Sequence, residues 1–205
     1  MKNLIQLPSE FDYNLLLYAL RDYKKPRDKI RGLVKDKDIV RVKKGLYVLG
    51  KAYNKPYNKF VLANLIYGPS YITGQTALAF WNMIPERVEL IISMTTKRKK
   101  QYDTPVGRFS YLYCPKTVFS IGIKLENAGD QKNFLIASPE KALCDIAAPK
   151  TYISTKKEMK EFLELMRLDF SIYKNLDFSL LEKIKSGYRR QSLKLLISCL
   201  RDSYV

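Results

Sequence analysis

Apolar positions in the first fifty residues change their period once, and that change divides helix from hairpin. Phe11, Leu15, Leu16, Ala19 and Leu20 recur at helical spacing, so a helix is expected from a Ser9 cap to about Asp22. Pro26 suits the first turn of a second helix, in which Ile30, Leu33 and Val34 repeat at i, i+3 and i+4. Asp36-Lys37-Asp38 breaks that pattern. Two β-rich runs follow, Ile39-Val40-Arg41-Val42 and Leu46-Tyr47-Val48-Leu49, joined by Lys43-Lys44-Gly45 as in a hairpin. Helix, basic helix and basic-tipped hairpin in this order is the layout of a winged helix-turn-helix.

The polar stretch Lys51-Ala52-Tyr53-Asn54-Lys55-Pro56-Tyr57-Asn58 reads as a junction between a unit at 1–51 and a second at 52–205. The second unit opens with an expected helix over 59–67, stopped by Gly68-Pro69, and another over 75–82. Strand-like runs cover 88–95, 108–113, 118–125 and 134–137. Ser138-Pro139-Glu140 is a helix start, with Ser138 as cap and Pro139 in the first position. The tail is helical: Met159, Phe162, Leu163 and Met166 share one face, as do Leu193, Leu196, Ile197 and Leu200. The expected class is α+β, a winged helix-turn-helix followed by a small sheet with helices and a helical tail.

Charge sharpens this picture. The 205 residues carry 37 Lys+Arg against 20 Asp+Glu, a net charge of +17, and contain no histidine. Without imidazole there is no Ser-His-Asp or Cys-His pair, no histidine base and no histidine metal ligand. So large a positive charge argues for an anionic partner. It is densest from Arg21 to Lys51, with 12 basic groups against 4 acidic. Cys114, Cys144 and Cys199 lie far apart with no CxxC pairing, which suggests buried free thiols. The N-terminal residues show no leader pattern and no apolar run is long enough for a membrane span, so the chain reads as cytoplasmic with no membrane partner.

Arg27, Arg31 and Lys35 form a row at i, i+4 and i+8 beside the apolar face of Ile30, Leu33 and Val34. A recognition helix needs this division, one face holding it to its domain and another offering cationic donors to the major groove. Arg41, Lys43 and Lys44 sit near the hairpin tip, within reach of phosphates. The competing reading is a solvated helix face and a lysine-blunted edge strand. Lys97-Arg98-Lys99-Lys100 reads equally as an extension of the phosphate footprint or as a solvated loop. Carboxylate pairs fare worse. Asp36-Lys37-Asp38 has a metal-binding spacing but lies at a turn, Glu158-Met159-Lys160 sits in a helical pattern, and Glu140 and Asp145 flank apolar residues. Phe80-Trp81 and Phe109-Ser110-Tyr111-Leu112-Tyr113 fit core packing better than a base-stacking platform.

Several short motifs follow one another in a telling order: Gly45-Leu46-Tyr47-Val48, Tyr71-Ile72-Thr73-Gly74-Gln75-Thr76-Ala77-Leu78, Thr95-Thr96-Lys97-Arg98, Val106-Gly107-Arg108-Phe109-Ser110-Tyr111, and Ser138-Pro139-Glu140-Lys141-Ala142-Leu143-Cys144-Asp145. Over residues 20–148 the chain resembles the AbiEi family of antitoxins from type IV abortive-infection toxin–antitoxin systems. The resemblance implies an N-terminal winged helix that binds inverted repeats of double-stranded DNA in its own promoter and represses transcription. It also implies a C-terminal domain that counteracts a nucleotidyltransferase-type toxin without a tight complex. It carries over no catalytic residue and no cofactor. Charge and resemblance agree on where DNA is expected: Arg27, Lys29, Arg31, Lys35, Arg41, Lys43 and Lys44, with two copies per operator. The pattern yields two helices before the wing where the usual module has three, so the module is trimmed or the stretch 10–22 is two pieces. The rival readings are an enzyme acting on nucleic acid and an RNA- or toxin-binding module.

Overall fold

Both faces of one hairpin are covered, and this fixes how the chain is assembled. The computed structural model describes residues 2–86, 88–129, 132–168 and 176–202. The hairpin is formed by β2 (Ile39–Lys43) and β3 (Leu46–Leu49). Gly45, at its tip, has φ 85°, a conformation that glycine adopts without a Cβ penalty. Ile39, Tyr47 and Leu49 face a small core with Leu4, Leu16, Leu20, Ile30 and Leu33. Val42, Leu46 and Val48 point the other way, into the large core of the following residues.

The region before the hairpin departs from the helix expected over 9–22. Residues Glu10–Asp12 form a strand, β1, and the helix, α2 (Tyr13–Ala19), starts after it. Two interactions decide this. Asp12 caps α2 by accepting from the Leu15 amide at 2.8 Å, so the cap is not Ser9. β1 pairs antiparallel with β3, setting Phe11 opposite Tyr47, and their rings stack with centroids 6.1 Å apart. Ahead of β1 lies one short helix, α1 (Lys2–Ile5), with Leu4 buried. The stretch 10–22 is thus a strand and one helix, not one helix or two. With α3 (Pro26–Lys35), the order is helix, strand, helix, helix, strand, strand around a sheet ordered β1-β3-β2.

The junction is packed. Lys51–Tyr53 make a short 3-10 turn, and Lys55 donates to the Ile5 carbonyl and, at 3.3 Å, to that of Leu7. Buried Glu10 accepts from the Asn58 amide at 2.5 Å and pairs with Lys132 at 2.8 Å, while Lys132 also donates to Ser9 Oγ at 2.6 Å. Gly50 closes the small unit by donating to the Asp38 carbonyl at 2.7 Å. A Cβ there would stand 2.0 Å from the Lys37 carbonyl oxygen. Gly50→Ala is therefore expected to cost about 1–3 kcal/mol, since backbone must move to admit it. A urea-unfolding midpoint equal to that of the parent chain would contradict this packing.

Beyond the junction, α4 (Lys59–Ile66) is capped by Asn58, and α5 (Gly74–Phe80) follows β4 (Ser70–Ile72). The remaining strands are β5 (Ile91–Thr95), β6 (Lys100–Thr104), β7 (Gly107–Tyr113), β8 (Ile123–Asn127) and β9 (Asn133–Ala137). They form a mixed sheet ordered β6-β7-β5-β4-β9-β8, with β5/β7 and β4/β9 parallel. The run at 118–125 is not one strand: α6 (Lys116–Phe119) takes its start, and β8 begins at Ile123. The class is α+β. Helix α7 (Pro139–Ala147) packs against α5, α9 (Phe178–Tyr188) and α10 (Gln191–Asp202), and α10 also packs on α8 (Lys156–Leu165). Among the described residues no helix is long and apolar enough to cross a membrane.

Candidate nucleic-acid interface

Helix α3 exists because Pro26 sits in its first turn, Asp28 faces its positive end and Lys35 its negative end. Ile30 and Leu33 are buried, which anchors the helix, while Arg27, Arg31 and Lys35 are exposed along the adjoining side. Arg31 contacts Asp28 at 3.5 Å, but both side chains are more than half exposed and such pairs contribute little. Its guanidinium stays available to another anion. Lys29 does not join the row. It is half-buried on another face, with its ammonium 5.7 Å from the centre of the Tyr23 ring.

The hairpin divides its cations. Arg41 and Lys44 are exposed. Lys43 instead donates to the Ile66 carbonyl at the end of α4. A register shift between Arg41 and Lys43 accompanies this turn inward. Burial lowers the Lys43 pKa from its usual value, and the ammoniums of Lys100 and Lys97 lower it further. The structure thus sets the second sheet's cationic turn beside the hairpin. Lys97 donates to the Gly68 carbonyl at 2.5 Å and lies 5.3 Å from the Tyr67 ring centre, and Lys100 lies 5.0 Å from that of Tyr102. Lys43 caps the end of α4, where carbonyls lack helical partners, and Lys97 holds the loop just beyond it. Arg98 and Lys99 remain exposed. Tyr67 and Tyr102 were not legible as part of this patch, because only the fold places them under the lysines.

Of the carboxylates raised as catalytic candidates, Glu158, Glu140 and Asp145 are engaged in structural bonds. Asp36 is the C-cap of α3. Glu158 accepts from the Ser154 and Thr155 amides at 2.7 and 3.0 Å in a capping box, and those bonds hold its carboxyl below the usual range. Glu140 accepts from Ser138 Oγ at 2.7 Å and from the Asp177 amide at 3.0 Å. Among the described residues, no three of Cys, Asp and Glu stand close enough together to hold a metal ion.

Asp145 is the centre of a sealed polar cluster. It accepts from Thr73 Oγ1 at 2.7 Å, Tyr71 Oη at 2.8 Å and Tyr188 Oη at 2.6 Å, and pairs with Lys141 at 3.0 Å. The Lys141 and Asp145 side chains have 0% exposure, so no substrate reaches them. Burial, then the neighbouring Asp145 charge, pushes both tyrosine pKa values far up, which keeps the hydroxyls as donors. Cys114, Cys144 and Cys199 are buried thiols, and burial pushes each pKa up, away from nucleophilic chemistry. The sequence carried one signal of this cluster: a Lys and an Asp four residues apart among the apolar residues Ala142, Leu143, Cys144, Ile146 and Ala147 of one helix. No protein-family model matches the chain, and no curated protein matches it at a significant level.

Proposed function

We propose that the chain is a DNA-binding transcriptional autorepressor and antitoxin of the AbiEi kind, counteracting a nucleotidyltransferase-type toxin without a tight complex. The observation that carries the DNA half is the exposed row Arg27, Arg31 and Lys35 on a helix whose adjoining face is buried. The element order before and through the hairpin, with a three-stranded sheet ordered β1-β3-β2, supports a winged helix-turn-helix with α3 as its recognition helix. On this reading Arg27, Arg31 and Lys35 enter the major groove. Arg41 and Lys44 reach flanking phosphates, and Lys43 fixes the wing to the second unit. Lys29 plays a supporting part at the Tyr23 ring. Arg98 and Lys99 extend the phosphate-binding face. Two copies occupy the inverted repeats of one operator.

The antitoxin half rests on the resemblance. It is supported by the meeting of two of its motifs at one buried carboxylate, since Tyr71 and Thr73 of one donate to Asp145 of the other, which also pairs with Lys141. These residues hold the second domain together, so the surface that opposes the toxin lies elsewhere on that domain.

The division within the hairpin is testable. Lys44→Ala should reduce the dependence of log affinity on log salt by about 1 while leaving the unfolding midpoint unchanged. Lys43→Ala should lower stability by about 1 kcal/mol, because the Ile66 carbonyl loses its donor, with a smaller change in salt slope. Equal salt slopes for both variants and the parent, measured by fluorescence anisotropy on operator DNA, would remove the wing from the interface.

A further inference from the structure

A second cationic site lies far along the chain from α3 and the hairpin. Helix α9 ends at Arg189, which has φ 53°, and α10 begins at Gln191. Lys185 and Arg189 at the end of α9, Arg190 in the connection and Lys194 in the first turns of α10 line one cavity of about 400 Å³ with Ser186 and Gln191. That lining contains no carboxylate and no aromatic ring. Lys185 is held by Glu182, a carboxylate that also takes Arg201 at 3.1 Å. The remaining cations of the lining, Arg189, Arg190 and Lys194, are exposed and share one hollow, where an anion would meet all three. The first turn of α10 brings no acidic residue to neutralise them.

We propose that this turn binds a compact oligophosphate, either inorganic or the phosphate chain of a nucleoside triphosphate. Guanidinium forks match phosphate oxygens two at a time, and an ammonium adds a point charge. Arg189 and Arg190 supply the forks, and Lys194 the ammonium. Since the lining has no ring on which a base could stack, the phosphates are what is recognised and a nucleoside stays outside. The site does not rest on the DNA-binding reading, because none of its residues belongs to α3 or the hairpin.

The test is calorimetric titration of the full chain at low ionic strength with sodium triphosphate and, separately, with ATP. Triphosphate should bind the parent chain, and ATP should bind no more tightly. Arg190→Gln with Lys194→Gln should weaken triphosphate about tenfold or more. Lys157→Gln with Lys160→Gln removes the same charge from the exposed side of α8 and should change it less than about twofold. Arg189→Gly should also weaken binding while keeping or raising the unfolding midpoint, because glycine takes a positive φ freely. No heat of binding to the parent chain would overturn the proposal. So would equal weakening in the α8 variant, which means diffuse charge attraction, or a strong preference for ATP, which means recognition of a base.

Discussion

Asp145→Ala is expected to cost about 3–5 kcal/mol, because it leaves the Lys141 ammonium buried without a partner. That is a large share of a stability that is about 5–15 kcal/mol for a domain. Three hydroxyl donors, Tyr71, Thr73 and Tyr188, lose their acceptor in the same step. Since Tyr188 belongs to α9 and Tyr71 to β4, helical tail and sheet are untied together. Asp145→Asn paired with Lys141→Met should regain part of the loss, because no buried charge is then left unpaired and the amide oxygen still accepts. Urea unfolding followed by circular dichroism reads both effects. A loss below about 1 kcal/mol in Asp145→Ala would mean that the cluster does not hold the domain.

The cluster also sets an alkaline limit. Burial and the Asp145 charge raise the folded-state pKa of Tyr71 and Tyr188 above the ordinary value of 10.0. A raised folded pKa means that the folded chain keeps protons which the unfolded chain releases. The stabilisation is therefore complete below pH of about 10 and is lost as pH rises beyond it. A phenylalanine at either position should flatten that alkaline decline.

Removing the cationic row is the second large effect. In the triple variant Arg27→Ala, Arg31→Ala and Lys35→Ala, operator affinity should fall on the order of a hundredfold or more at moderate salt. The salt slope should drop by about 2–3 if all three neutralise phosphates, and by less where a residue reads a base edge. Stability should stay within about 0.5 kcal/mol, because all three side chains are exposed. Arg31→Ala alone should erode discrimination between operator and scrambled DNA. Affinity within about threefold of the parent for the triple variant would detach α3 from any recognition role.

Much of this molecule is legible in its residue pattern, and the misses share a cause. Helix α3 and the hairpin are local: Pro26, the Ile30–Leu33–Val34 spacing and the Lys44-Gly45 turn specify them without help from distant residues. β1 is not local. Glu10-Phe11-Asp12 continues the helical apolar stripe of α2, and only pairing with Leu46–Val48 makes it a strand. β4 is three residues long and buried on both sides, so it has no alternation to detect. β6 is a polar edge strand whose residues resemble a loop. The candidate interface divides the same way. The row on α3 follows from helical spacing alone. Lys43 turns inward because the second unit covers the hairpin, and that cover is set by Val42, Leu46 and Val48 reaching the large core.

On the proposed reading, this basic chain recognises duplex DNA through α3 and the hairpin. The most direct measurement is a gel shift of the full chain against the DNA upstream of its own gene, with scrambled duplex as competitor, at about 50 and 200 mM salt. The account predicts a discrete complex that survives the competitor, weakens steeply at the higher salt, and is lost in the Arg27, Arg31 and Lys35 triple variant. Equal binding to upstream and scrambled DNA, or a complex untouched by the triple variant, would contradict it.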